Sequence, residues 1–475
     1  MSRKFQIRDR RVKDLIRTFT ANMVSLATGF ITAFILPKFL NMEQYGYLRI
    51  FTFYITYVGI MHFGFNDGIY VKYGNYDYED IPKDKFKAYF NILAKFQITI
   101  ALIITIIALF FIKDINRKSV FVFIGINTFI LNLNTFFDFI NQFTRRFNIY
   151  AKVLSLSKIA YLILCITVLV FNLNSFMFLV VGQTFINLIT FLFFLRTNKE
   201  VAGNVLAKNT IKFTEFKELI LIGFFVMVGN LMSKLILGLD RMFVDYFFTL
   251  RDFAIYSFVI SILNLFNVLF SAITTVVYPY LSRAKEEKRG QIYFRTKLVL
   301  FFLMGLAISI YYIFVPIINS FLPQYKESIP ILLVLIPTVL ISCQIIIVSF
   351  NFYKVMGYQK EFTINNIFAL ATGFITNVIF YYVMKSMMGI ALASLLSFVI
   401  WMIFTDTFFT KKLNINLLKL NLCQLTLIAS FIALGVIVNW YIGLLVYIIV
   451  YLIIIWVFYK KDLIELFKNK LNYLM

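Results

Sequence analysis

Apolar residues in this chain gather into long continuous runs, not into a one-sided helical stripe or an alternating strand pattern. A helix needs about 20 mostly apolar residues to cross a bilayer. On that rule the runs mark about fourteen spans, near 16–39, 48–71, 89–112, 119–142, 153–171, 176–195, 219–247, 254–279, 298–318, 331–352, 363–384, 389–409, 422–438 and 441–459. The pattern predicts an all-α integral membrane protein. Only Asn172–Ser175 separates spans five and six, and the last pair turns at Asn439–Gly443.

Composition agrees with that picture. Hydrophobic residues make up 61% of the 475 and charged ones 15%, with a mean hydropathy of +0.84, far from the roughly one-quarter charged residues of a soluble domain. The net charge of +23 would suggest nucleic acid on a soluble surface. Here the basic residues sit in short clusters between apolar runs. With the N-terminus inside, 33 Lys and Arg fall on the inner segments and 8 on the outer ones. Such a bias fixes orientation, and it predicts both termini in the cytoplasm. The charged start, MSRKFQIRDRRVKD, reads as a retained cytoplasmic segment, not a signal peptide.

No outer segment exceeds roughly a dozen residues, an ordinary connection length, so no outer domain is expected. The longest inner loop, TNKEVAGNVLAKNTIKFTEFKE, follows the sixth span. It predicts an N-lobe at 1–196, a cytoplasmic linker at 197–218, a C-lobe at 219–409, and two further spans with a tail at 410–475. A shift of 208 residues lays Asn22 on Asn230 and Ser25 on Ser233. The same shift lays FLNMEQYGYLRIF (Phe39–Phe51) on FFTLRDFAIYSFV (Phe247–Val259). Both six-span halves start inside, so the repeat is parallel, about an axis along the membrane normal, an arrangement that puts a transporter's substrate site between two lobes.

Ionisable groups within apolar spans are costly and point to function. Span seven, GNLMSKLILGLDRMFVDYF, carries Lys234, Asp240, Arg241 and Asp245. As one helix it would set Lys234 and Arg241 on one face, two turns apart, with Asp245 four residues beyond Arg241. Such a stripe would line an aqueous cavity and favour an anion, Arg by bidentate bonds and Lys as a point charge. Arg17, Lys95 and Lys158 carry two readings: further cavity cations, or side chains snorkelling to the inner interface. Asp138 and Asp67 are buried-carboxylate candidates. Asp138 is also within reach of inner basic residues, and Asp406 reads as interfacial. The single histidine, His62, reads as a polar residue inside a bundle. Phe53, Tyr54 and Tyr57 read as packing residues or as a platform for sugars. Cys165, Cys343 and Cys423 lie apart inside apolar runs, and no metal site or disulfide is expected. No phosphate-binding Gly-Lys loop and no nucleophile with an adjacent base occur, so neither catalysis, nor a cofactor, nor direct use of ATP is expected.

Several segments together resemble the polysaccharide-transport branch (Wzx-type O-antigen flippases) of the multidrug/oligosaccharidyl-lipid/polysaccharide exporter superfamily. They are FLNMEQYGYLRIF after span one, FTLRDFAIYSF after span seven, VVYPYLSRAKEEKR closing span eight, FLPQYKESIPILLVLIP before span ten and MMGIALASLLSF opening span twelve. The resemblance implies a flippase in the bacterial cytoplasmic membrane for an undecaprenyl-diphosphate-linked oligosaccharide. Two lobes would alternate around a cationic cavity, with the lipid tail left in the bilayer. It implies Lys234 and Arg241 on the diphosphate, then Arg17, Lys95 and Lys158, with Arg49 taking the headgroup in the outward-open state. Asp240, Asp245 and Asp138 would orient these cations or take a coupling proton or sodium ion. Membrane lipids and polysaccharide polymerase or assembly proteins are the expected partners, and a monomer is expected because one chain supplies both lobes. A peptidoglycan-precursor flippase and a multidrug exporter share this fold logic. A membrane glycosyltransferase or polymerase would need larger outer loops.

Overall fold

The computed structural model describes residues 26–204, 211–282 and 286–472, and every regular element in them is helical. In hydrocarbon each backbone amide must find its partner within the segment, which leaves helices as the solution for such apolar runs. The chain divides into two compact units. One holds the residues up to Leu237 with Thr249–Ser257, and the other holds Gly238–Phe248 with the chain from Phe258 onward.

In the first unit, α1 (Leu26–Phe39) leads into α2 (Met42–Tyr54), which tightens into a 3-10 stretch at Ile55–His62. After a break come α3 (Phe65–Tyr73), α4 (Lys83–Phe111), α5 (Ile115–Phe143), α6 (Phe147–Val170), α7 (Phe176–Thr197) and α8 (Phe213–Ile236). Short polar side chains start two of these helices. Asn41 accepts the Gln44 amide at 2.8 Å, and Asp114 accepts those of Asn116 and Arg117 at 2.8 and 3.0 Å, each supplying a partner to an otherwise orphaned amide. An aromatic core of Phe65, Tyr89, Phe90, Phe136 and Phe137 joins α3, α4 and α5.

The second unit contains α9 (Leu239–Phe247), most of α10 (Leu250–Ser282), α11 (Arg289–Ala307), α12 (Ile310–Phe321), α13 (Ser328–Val355), α14 (Gln359–Met384), α15 (Met387–Leu413), α16 (Leu418–Ile437) and α17 (Trp440–Asn472). The last helix docks through tyrosine hydroxyls that take up backbone carbonyls: Tyr447 on Gly305 at 2.5 Å and Tyr451 on Phe302 at 2.6 Å.

Two expectations change. Among the described residues, eleven helices are long and apolar enough to cross a membrane, or twelve if Met42–His62 and Phe65–Tyr73 form one bent span; the expected span one begins outside the described residues, and α10 covers the expected span eight. Span two is not one straight helix: it turns by 58° at Phe63–Gly64, which carry φ of 51° and 85°. Span seven is likewise interrupted, ending at Ile236 and resuming at Leu239. Lys234 and Arg241 therefore do not share one continuous helical face. At the first break Gly64 takes a left-handed conformation that glycine adopts readily.

Candidate functional site

The break in span two has a specific chemical support. A 3-10 stretch leaves carbonyls poorly satisfied, and non-helical backbone at membrane depth persists only where protein groups cover it. Here Gln97 of α4 donates to the Met61 carbonyl at 2.9 Å and Asn132 of α5 to that of Val58 at 3.2 Å. Asn132 also donates to Gln97 Oε1 at 2.7 Å, and Asn66 donates to the Asn132 carbonyl at 3.0 Å. Beyond the break, α3 lies directly on α8. A Cβ on Gly68 would stand 1.9 Å from the Leu219 carbonyl oxygen, and one on Gly223 would stand 1.9 Å from that of Gly64. Three glycines thus let two backbones touch, as small residues do between membrane helices.

The breaks also explain where the intramembrane charges sit. Asp67 is in the first turn of α3 and Lys234 in the last turn of α8. A carboxylate at a helix N-terminus and an ammonium at a C-terminus both complement the peptide dipoles. Lys234 Nζ donates to the Thr56 carbonyl at 3.0 Å, and Tyr57 Oη reaches the Lys234 carbonyl at 3.5 Å. His62, 4% exposed, closes the 3-10 stretch, and its Nε2 stands 3.5 Å from Oδ2 of Asp67, 5% exposed. His62 and Asp67 as a pair were not legible in the sequence. The signal was present as His62-Phe-Gly-Phe-Asn-Asp67, a histidine and an aspartate either side of a glycine in an apolar run.

Arg49 lies on α2 and faces a cavity of about 420 Å³ within the first unit. The walls carry Thr28, Thr32 and Thr52, the phenol of Tyr161 and the amides of Gln183 and Asn187. Tyr45 fixes the guanidinium by accepting from Nε at 2.8 Å, which leaves the paired Nη groups as the edge a ligand meets. Asn187 is itself held, donating to Asn127 Oδ1 at 2.8 Å while Gln183 donates to Asn187 Oδ1 at 3.1 Å. One fixed cation among amides and hydroxyls is chemistry that suits a phosphorylated, hydroxyl-rich ligand.

The remaining expected residues are dispersed. Lys95 on α4 is exposed and Lys158 on α6 is half-buried, and neither lines the Arg49 cavity. Asp138 is half-buried on α5, where its charge acts on Tyr150. Arg17 lies outside the described residues. In the second unit, Asp240 is in the first turn of α9; its Oδ1 accepts the Arg241 amide at 2.7 Å and its Oδ2 accepts from Ser394 at 3.4 Å. Asp245 is buried four residues after Arg241 on the same short helix. Of the aromatic platform, Phe53 and Tyr57 are buried, stacking edge-on with ring centroids 5.3 Å apart, so these two are packing residues. Asp406 is 2% exposed within the second unit and ion-paired with Lys297. Among the described residues no group of three His, Cys, Asp or Glu side chains converges on a metal position.

The sequence matches the family model described as "Polysaccharide biosynthesis protein" over residues 12–285, more than half of the chain. No curated protein matches it. Among solved structures, the lipid II flippase MurJ in an inward closed conformation is similar at a TM-score of 0.70 and 16% identity, covering 95% of this chain and 100% of that one. A multidrug resistance MATE transporter of the MOP superfamily is similar in its inward-facing form at 0.59 and 13% identity, covering 84% and 98%, and in its outward-facing form at 0.54 and 13%, covering 84% and 95%. At these identities the likeness is one of fold.

Proposed function

Because this chain belongs to the polysaccharide biosynthesis protein family and has the MOP-superfamily fold, we propose that it is a flippase. Its substrate is an undecaprenyl-diphosphate-linked oligosaccharide repeat unit, moved from the inner to the outer leaflet of a bacterial cytoplasmic membrane for surface polysaccharide. The chain is a transporter and not an enzyme. The observation that carries the reading is the Arg49 cavity: a guanidinium held by Tyr45 among threonine, tyrosine and amide groups. Arg49 takes a phosphate by its Nη edge, and Asn187, Gln183 and the hydroxyls take the first sugar. Lys234 and Arg241 supply further positive charge to the diphosphate, with Lys95, Lys158 and Arg17 as auxiliary cations. Asp240 and Asp245 orient Arg241 or take a coupling ion, as does Asp138. Two lobes joined through the 197–218 linker alternate in access, both termini stay in the cytoplasm, and the monomer suffices. The likeness to the lipid II flippase favours one second reading, a peptidoglycan-precursor substrate.

Replacing Arg49 with Ala or Lys tests both. A charged bidentate contact is worth about 1.5–3 kcal/mol, so Arg49→Ala is expected to cut surface polysaccharide about 10–100-fold at normal protein level, while lipid-linked repeat units accumulate on the inner leaflet. Arg49→Lys restores little of it. Normal export by Arg49→Ala would remove the cavity from the reading. Rescue of cells depleted of their own lipid II flippase would select the peptidoglycan precursor instead.

A further inference from the structure

The contact between His62 and Asp67 spans the break in the second span, with the imidazole at the end of the 3-10 stretch and the carboxylate in the first turn of α3. His62 Nδ1 accepts the Gly64 amide at 3.1 Å. The hydrogen of the neutral ring is therefore on Nε2, the nitrogen 3.5 Å from Asp67 Oδ2. Among the described residues, neutral polar groups and one cation surround the pair. From α4 comes Gln97, from α5 come Asn132 and its partner Asn66 of α3, and the 3-10 stretch itself offers the phenol of Tyr57. The cation is Lys234 of α8, whose charge acts on both His62 and Asp67 and whose Nζ is bonded to the Thr56 carbonyl, about two turns before the break.

We infer that His62 and Asp67 form a proton-binding site, linked through Lys234 to the anionic substrate; the linkage, but not the proton site, rests on the substrate reading above. With Asp67 ionised, His62 neutral and Lys234 an ammonium, the cluster is neutral. One added proton bonds to the Asp67 carboxylate, converts it to the acid and leaves the cluster with the single positive charge of Lys234. An anion drawn to Lys234 then restores neutrality, so anion and proton enter together. The proton also removes the carboxylate charge that attracts the imidazole Nε2–H 3.5 Å away, which weakens the contact across the Phe63–Gly64 bend. Proton load and helix geometry are thereby tied at one point, as the broken helices of ion-coupled transporters allow.

The site is tested by difference infrared spectroscopy of the full-length protein in lipid nanodiscs between neutral and acid buffer. Wild type should gain a protonated-carboxyl band of which Asp67→Asn lacks one component; Asp138, Asp240, Asp245 and Asp406 remain as internal references. An unchanged band in Asp67→Asn overturns the site. Where Asp67→Asn does not fold, His62→Gln serves: a moved titration midpoint supports the pair and an unmoved one overturns it. The linkage is read by calorimetry with undecaprenyl diphosphate in two buffers of different ionisation enthalpy. Wild type should take up about one proton per probe bound near neutral pH, and Asp67→Asn none while still binding. Equal uptake by both overturns the linkage. If wild type does not bind the probe, the substrate reading fails, and the infrared result still decides the proton site.

Discussion

The ammonium of Lys297 on α11 is ion-paired with Oδ1 of Asp406 on α15, with neither side chain more than 2% exposed. Tyr293 donates to the same carboxylate at 3.3 Å and shares a hydrogen bond of 2.9 Å with Ser349, and Gln344 reaches the Lys297 carbonyl at 3.4 Å. The pair joins three helices of the second unit through one buried polar knot.

Breaking that knot on one side leaves a buried charge alone. Removal of one partner of a buried pair typically costs about 3–5 kcal/mol, whereas replacing both with apolar residues of similar volume is often neutral or stabilising. Lys297→Met and Asp406→Asn are each expected to lower the temperature at which the detergent-solubilised protein loses its monodisperse chromatographic peak. The double variant Lys297→Met/Asp406→Leu should recover most of that loss. Single variants as stable as wild type would show the pair to be energetically idle.

Lys297 also marks where sequence reading stops. Element positions follow from runs of apolar residues, because backbone satisfaction in lipid is a local requirement that each run must meet alone. Partnership is not local. Lys297 precedes an apolar run and was grouped with loop cations, yet α11 already starts at Arg289, which sets Lys297 two turns inside. Arg49 was reached only through the family resemblance, because near the outer end of span two it counts with the loop cations. The breaks at Phe63–Gly64 and Leu237–Gly238 were not legible, because a glycine within a membrane helix is common and only its neighbours decide whether the helix bends. Gln97 and Asn132, which hold the Met61 and Val58 carbonyls, are far from the bend in sequence.

The α3–α8 contact makes a sharp prediction about glycine. Gly68→Ala would drive a methyl into the Leu219 backbone, and Gly223→Ala into that of Gly64; neither obstacle is a side chain that can swing away. Each should destabilise by about 1–3 kcal/mol or more. Gly229 lies on the same helix as Gly223 with nothing within 4 Å of its added Cβ, so Gly229→Ala should be neutral or stabilising by up to about 1 kcal/mol. Thermal melting of the three variants side by side checks it, and equal effects at Gly223 and Gly229 would refute the close packing.

Asp114 caps α5 from the connection after α4. Burial pushes its carboxyl up, but hydrogen bonds from Tyr47 and from the amides of Arg117 and Asn116 outweigh that and hold it below the usual carboxylate range. A group whose folded value is depressed contributes stability above its unfolded value, and that contribution fades as pH falls through the folded one. Asp114→Ala should therefore cost about 1 kcal/mol at neutral pH, and its gap from wild type should close below about pH 4. Melting curves at neutral and acid pH measure that gap; one that persists in acid would mean Asp114 acts through packing alone.

The orientation proposed from the Lys and Arg bias can be read with thiol chemistry because the native cysteines stay silent. Cys165 and Cys343 are 0% exposed and Cys423 is 6% exposed, so a membrane-impermeant maleimide should leave wild type unlabelled in intact cells. Lys385 sits exposed in the turn between α14 and α15 at φ 46°, and Glu200 is exposed after α7. Lys385→Cys removes a positive charge from the side proposed as external, and Glu200→Cys removes no positive charge from the side proposed as cytoplasmic, so neither change weakens the bias that sets topology. Lys385→Cys should label in intact cells, and Glu200→Cys only after permeabilisation. The reverse pattern would put both termini outside and invert the direction of transport that the flippase reading requires.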